Sequence, residues 1–142
     1  MSVKENYENI IVGVDGSEAS EIAFAQAVAT AKQNNAKLYV AQVINNVANY
    51  LPSSALEELK NECEDRYSTL EEQADNMDFT NLASIIKEGS PKKLLAVTLP
   101  ESVDADLIVL GATGRHFISE SLLGSIAHYA TTHAKCNVLI VR

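Results

Sequence analysis

The chain has 142 residues, of which 46% are apolar, 19 are acidic and 11 are basic, so its formal net charge is −8. This length is typical of one domain with its own core, and we expect residues 1–142 to form a single domain. The negative charge argues against broad binding to nucleic acid or anionic membranes, the apolar runs are too short to cross a bilayer, and the first residues lack the pattern of a signal peptide, so we expect a cytoplasmic protein.

The first regular element is predicted over residues 9–15, where a nearly continuous apolar, β-branched run indicates a strand buried on both faces, as in a parallel sheet. Asp15 stands at the carboxyl end of this strand. Ser17 is a suitable N-cap for an alanine-rich helix over about residues 18–33, with Glu18 and Glu21 near its positive end. Asn34 and Asn35 are expected to end that helix.

A second strand is predicted over residues 37–44, and an irregular loop follows over residues 45–53. Ser54 and Glu57 have the spacing of a capping box, which predicts the start of a long helix. Apolar residues then recur every three or four positions, which predicts that this face of the helix covers one face of the sheet rather than a ligand. The stripe consists of Leu56, Leu59, Cys63, Tyr67, Leu70 and Ala74.

The second half of the chain continues the alternation of strand and helix. A short strand is predicted over residues 82–86, and Ser90 followed by Pro91 predicts the start of a helix that Pro100 ends or bends. A strand over residues 106–110, a helix over about residues 125–133 and a strand over residues 137–141 complete the pattern. Five strands alternating with four helices predict an α/β fold with a parallel sheet covered on both faces.

The loop over residues 111–125 contains the clearest functional signal. Gly111 and Gly114 follow a buried strand three residues apart, and Gly124 and Ser125 precede the next helix. Glycine lets a ligand approach the backbone, and Ser125 is a natural cap for a helix whose first amides can bind an anion. Two clusters of backbone donors around one loop suit a polyphosphate. The alternative is that these residues only shape a tight loop and a helix cap.

This glycine spacing resembles the nucleotide-binding motif of the universal stress protein family, in its ATP-binding branch. The resemblance covers nearly the whole chain in four further segments, at residues 9–17, 89–91, 105–110 and 136–142. It implies a Rossmann-like fold with an open five-stranded parallel sheet in the order 3-2-1-4-5. In that order the first and fourth strands are neighbours, so Asp15 and Gly111 would meet at the switch point where open α/β sheets bind ligands.

The resemblance also implies an ATP site, with magnesium as a further cofactor. Gly13 and Val14 would line the adenine side, and Asp15 would bind a ribose hydroxyl or hold magnesium through water. Structural roles remain open, since Asp15 can accept amide hydrogen bonds in its turn, Val43 can belong to the core, and Arg115 can be solvated. The full set of nucleotide-binding residues is Gly13, Val14, Asp15, Val43, Leu110, Gly111, Thr113, Gly114, Arg115, Gly124, Ser125 and Ile126.

Three functions compete for this sequence. A nucleotide-dependent regulatory module of the stress response is the first, a slow ATP-hydrolysing or phosphotransfer enzyme is the second, and an interaction protein that binds no nucleotide is the third. The chain has no P-loop and no Gly-x-Gly-x-x-Gly after its first strand. His128 and His133 are five residues apart, which does not align two ligands on one helical face, and with His116 they are interpreted as surface or packing residues. We therefore expect turnover to be absent or very slow.

The last strand predicts how the chain assembles. It is apolar over residues 138–141 and, in the implied order, it forms an edge of the sheet. An apolar edge favours pairing with another strand unless charge, proline or a covering element prevents it. The family resemblance implies a homodimer through this C-terminal strand. The alternative is a monomer in which Arg142 and a nearby loop cover the edge.

Overall fold

A computed structural model of the chain describes residues 3–113 and 123–142. The predicted site residues Gly114 and Arg115 lie outside the described residues, as does His116. The strands are β1 (Asn9–Gly13), β2 (Lys37–Asn45), β3 (Leu82–Gly89), β4 (Leu107–Gly111) and β5 (Asn137–Val141). The helices are α1 (Glu18–Asn34), α2 (Ser53–Asn76), α3 (Pro91–Lys93), α4 (Leu99–Ser102) and α5 (Ser125–His133), and a π-helical turn, Leu94–Thr98, joins α3 to α4.

The five strands form one parallel sheet in the order β3-β2-β1-β4-β5. The predicted fold class and strand order are therefore confirmed. Residues of β1 pair with β2 on one side and with β4 on the other, as Ile11 does with Tyr39 and Ile108. β1, β2 and β4 are thus the central strands, and their carboxyl ends lie side by side.

Two hydrophobic clusters cover the two faces of the sheet. On one face, α1 and α2 pack over residues that include Ile10, Val12 and Val109, all inaccessible to solvent. On the other face, the segment from α3 to α4 and helix α5 pack over Ile11, Ile108 and their neighbours. Both faces of the central strands are buried, which explains why these strands are apolar at successive positions rather than at every second one. Among the described residues, no helix is long and apolar enough to cross a membrane.

The helix caps confirm two predictions and correct two others. The Ser17 side chain accepts a hydrogen bond from the Ser20 amide at 3.1 Å, and the Ser90 side chain accepts one from the Lys93 amide at 3.5 Å. The capping box at Ser54 is wrong, because α2 begins at Ser53 with Pro52 in the cap position and no side-chain cap. Ser125 is also not a cap. Gly124 is the N-cap of α5, and Ser125 is the first residue of the helix.

Pro100 does not end its helix, because the helical segment continues to Ser102. Proline has no amide hydrogen and its ring clashes with the carbonyl of the preceding turn of an α-helix. Here the preceding turn is π-helical, and the Leu99 amide donates to the Leu94 carbonyl five residues earlier. The wider turn lets the helix accept Pro100, which is itself buried.

Candidate functional site

A cavity of about 540 Å³ lies at the carboxyl ends of β1, β2 and β4. The helix that follows β1 covers one face of the sheet, and the helix that follows β4 covers the other. The connections therefore diverge at this point and leave a crevice between them, as at the ligand sites of other open α/β sheets. The cavity volume falls within the range of about 300–1,000 Å³ that is usual for small-molecule sites.

All the predicted site residues that the structure describes line this one cavity. They come from the end of β1, from β2, from the end of β4 and from the start of α5, so the fold brings together residues more than 100 positions apart. Gly114 and Arg115 were also predicted but lie outside the described residues. The predicted residues that line the cavity are Gly13, Val14, Asp15, Val43, Leu110, Gly111, Thr113, Gly124, Ser125 and Ile126.

Asp15 lies two residues beyond the end of β1 and is half-buried. Its carboxylate accepts a hydrogen bond from the Ser17 amide at 2.9 Å, and its own amide donates to the buried Ser20 hydroxyl at 3.2 Å. The turn therefore holds the carboxylate at the edge of the cavity. A carboxylate oxygen is a suitable partner for a ribose hydroxyl or for a water molecule of hydrated magnesium, so this residue fits both predicted roles.

The opposite wall of the cavity is formed by the end of β4 and the start of α5. The Gly124 amide donates to the Ala112 carbonyl at 2.7 Å, which holds the start of α5 against the end of the strand. The first amides of an α-helix have no acceptor within the helix and carry the positive end of its dipole. Because Gly124, Ser125 and Ile126 line the cavity, these amides form a suitable site for an anion.

Helix α2 forms a side of the cavity that was not predicted. Leu59, Glu62, Cys63 and Arg66 line the cavity, whereas Leu70 and Ala74 of the same stripe belong to the core. The stripe was expected to cover the sheet rather than a ligand, and two residues of its first half, Leu59 and Cys63, also line the cavity. Helical geometry places residue 66 on the same face as residues 59 and 63 of the stripe, but the spacing does not indicate that a cavity lies beneath them.

The cavity is close to neutral although the chain carries a net charge of −8. Among its described lining residues, Asp15 and Glu62 are acidic and Arg66 and Lys92 are basic. Two local cations reduce the repulsion that an anionic ligand would meet from the rest of the molecule.

The described histidines lie outside the cavity. His128 is exposed on α5, and the His133 ring is exposed and stacks on the Tyr129 ring with 3.9 Å between the ring centroids. His116 lies outside the described residues.

Comparisons with known proteins agree with this fold. A model of the universal stress protein family matches residues 6–142. A Staphylococcus saprophyticus protein that carries the family's name is 36% identical over 140 residues, which are 96% of this chain and 84% of that protein. The solved structure of universal stress protein UspA from Lactobacillus plantarum is similar with a TM-score of 0.86 and 32% identity, over 98% of this chain and 100% of that one. A universal stress protein solved in complex with cAMP has a TM-score of 0.69 and 30% identity, over 97% and 98% of the two chains.

Proposed function

The chain belongs to the universal stress protein family, and on that premise we propose that it binds ATP with magnesium and acts as a nucleotide-dependent regulatory module of the stress response. The observation that carries this proposal is the convergence of ten predicted site residues on one cavity. The cAMP complex of a relative at 30% identity supports an adenine nucleotide as the ligand class.

The proposed arrangement divides the nucleotide among three walls of the cavity. Val14 and Val43 contact the adenine, with Gly13, Leu110 and Ile126 as further apolar or backbone surface. Asp15 binds a ribose hydroxyl or the hydrated magnesium ion. Gly111, Thr113, Gly124 and Ser125 surround the phosphates, together with Gly114 and Arg115. This division follows the chemistry of each wall, since apolar side chains suit a base and backbone amides suit an anion.

A substitution at Gly124 tests the phosphate wall. Its backbone, with φ −62° and ψ 161°, is open to any residue, so Gly124→Val adds a side chain to the cavity without backbone strain. We expect ATP affinity measured by calorimetry with magnesium to fall roughly tenfold to a hundredfold, the value of one lost hydrogen bond to a charged group.

Thr131→Val is the matched control, because Thr131 is exposed on the same helix and does not line the cavity. It should bind ATP as the wild type does. Equal ATP binding by the wild type and Gly124→Val, with unchanged circular dichroism, would contradict the assignment of this wall. A wild type that binds no adenine nucleotide at millimolar concentration would instead favour an interaction protein.

We propose binding rather than turnover as the activity. Phosphoryl transfer needs a positioned nucleophile and strong clamping of the phosphate charge. The described lining residues include two carboxylates, of which Asp15 is assigned here to the ribose or the magnesium ion and Glu62 belongs to α2 rather than to the proposed phosphate wall. Phosphate release at several turnovers per second, abolished by Asp15→Ala, would favour the enzyme alternative.

A further inference from the structure

A buried glutamine and an arginine form a polar pair on the α2 side of the cavity. Gln42 is 1% exposed and lies between Ala41 and Val43 in strand β2, and Arg66 is half-buried on α2. The Arg66 Nη1 donates to the Gln42 Oε1 at 2.8 Å. Both residues line the cavity.

The orientation of the Gln42 amide is determined by two hydrogen bonds. Its Nε2 donates to the Cys63 carbonyl at 2.7 Å, so its Oε1 must face Arg66. One end of the amide is thus attached to the backbone of α2, and the other end is left as an acceptor for a guanidinium nitrogen. A buried amide held in this way has one orientation and therefore fixes the position of its partner.

The other edge of the guanidinium faces the turn after β1. A side-chain carbon at Gly16 would lie 2.8 Å from the Arg66 Nη2 and 3.0 Å from its Nε. The guanidinium therefore lies against Gly16, next to Asp15. Because β1 lies between β2 and β4, Gln42 on β2, which holds Arg66, and Gly111 on β4 line the cavity from two strands that are about 10 Å apart.

We propose that Arg66, positioned by Gln42, donates hydrogen bonds to the nucleoside portion of the bound nucleotide rather than to its phosphate chain. This inference rests on the proposed function, since it concerns the same cavity. A guanidinium has five N–H donors, of which the bond to Gln42 uses one. Ring nitrogens of the base and ribose hydroxyl oxygens are neutral acceptors that such donors can bind, whereas the proposed phosphate donors lie on the β4 and α5 side.

The decisive measurement compares two ligands that share the nucleoside and differ in phosphate charge. For Arg66→Met, we expect the affinities for ATP and AMP to fall by the same factor, roughly tenfold, the value of one hydrogen bond from a charged donor. Lys60→Met is the matched control, because Lys60 is exposed on the same helix and does not line the cavity. It removes the same charge and so measures the long-range electrostatic effect alone.

The possible results separate this inference from the proposed function. A wild type that binds neither ligand would contradict both. ATP and AMP binding that is equal for Arg66→Met and Lys60→Met would overturn only the role of Arg66. After the effect of Lys60→Met is subtracted, Arg66→Met could lower the affinity for ATP much more than the affinity for AMP. That result would place Arg66 on the phosphates and overturn the nucleoside contact. The same comparison with 2′-deoxy-ATP identifies the group that Arg66 contacts. If Arg66→Met still lowers the affinity, the contact is to the base, and if it no longer does, the contact is to the ribose 2′-hydroxyl. Both results support the inference.

The positioning role of Gln42 is tested by a double-mutant cycle. Gln42→Leu should weaken ATP binding in the wild type and should have little further effect in the Arg66→Met background, because Gln42 acts through Arg66. A purely structural role would weaken binding equally in both backgrounds and would contradict the proposal. Thermal unfolding of all four proteins shows that each is folded at the temperature of the binding measurement.

Discussion

Gly111 was selected from the sequence as a point of ligand approach, and the structure adds a packing reason for it. A side-chain carbon at this position would lie 2.8 Å from the carbonyl oxygen of Ala19 and 3.0 Å from its carbonyl carbon. The end of β4 therefore packs directly against the first turn of α1, and only glycine allows this distance. One residue serves both the close packing of helix on strand and the lining of the cavity.

We predict that Gly111→Ala lowers the free energy of unfolding by about 2 kcal/mol, because the added methyl group meets backbone atoms that can move only with the helix. Gly13→Ala is the matched control. Its methyl group would lie 2.9 Å from the Leu110 Cδ2, at the far end of a side chain that can rotate away, so we expect a loss below about 1 kcal/mol. Urea denaturation without nucleotide measures both, and a smaller loss for Gly111→Ala than for Gly13→Ala would contradict this interpretation.

The Gln42 and Arg66 pair had a partial signal in the sequence. A single glutamine inside an apolar strand must find hydrogen-bond partners if it is buried, so its position indicates that polar groups lie nearby. The sequence does not say which groups these are. Arg66 is 24 residues away on a helix whose charged residues are mostly acidic, and the packing of α2 on β2 joins the two.

At the scale of the element, the starts of the helices depend on one or two residues each. Ser17 is an N-cap with a side-chain hydrogen bond, whereas Ser54 lies inside the first turn of α2 and is exposed. Pro52 takes the cap position of α2, one residue before its first helical residue. The backbone amides that a capping serine would otherwise satisfy are left to other partners at this helix start.

We predict that Ser17→Ala lowers the free energy of unfolding by about 1 kcal/mol, because it removes the acceptor of the Ser20 amide. Ser54→Ala should change it by less than about 0.5 kcal/mol, as expected for an exposed residue outside a cap. Urea titration followed by circular dichroism distinguishes the two. If both variants lose the same free energy of unfolding, Ser54 acts as a helix cap and this interpretation of α2 is wrong.

At the scale of the whole molecule, the exposed feature of the sheet is its β5 edge. Among the described residues, β5 pairs with β4 alone, and its apolar residues 138–141 are half-buried. Leu139 and Val141 pack toward one hydrophobic cluster, and Val138 and Ile140 pack toward the other. Asn137 is attached to the body of the domain, because its side-chain amide donates to the Tyr7 hydroxyl at 3.0 Å. The edge of β5 that no described strand covers and the remaining exposed apolar surface both favour pairing with a second copy.

We predict that the chain forms a homodimer in which two β5 strands pair antiparallel about a two-fold axis. Light scattering at tens of micromolar should give twice the chain mass of 15.4 kDa. Ile140→Lys should lower the mass to that of a monomer, because it places a charge in the edge.

The control for the dimer is Val47→Lys, the same kind of substitution at an apolar residue that is 67% exposed in the loop after β2, a strand that β1 and β4 separate from β5. It should remain dimeric. Circular dichroism shows whether Ile140→Lys is folded. A wild type of monomer mass would contradict the prediction, and a dimer that Ile140→Lys leaves intact would place the interface elsewhere.

The sequence alone determined the succession of elements, because apolar periodicity and cap residues act locally. Apolar runs located all five strands and the stripe located α2, while the resemblance to a known family supplied the strand order. The described glycine-motif residues of β4 and α5 were selected for a similar reason, since their spacing along the chain is a local pattern.

Only the tertiary structure decided what each face of an element contacts. Helical periodicity indicates that residues 59, 63 and 66 share a face of α2. It cannot show that this face lines the cavity in the first half of the helix and packs into the core in the second half. Likewise, the contact of Gly111 with Ala19 joins positions 92 residues apart, and no local pattern encodes it. Such contacts depend on how close two packed elements come, which is set by the volumes of all the side chains between them.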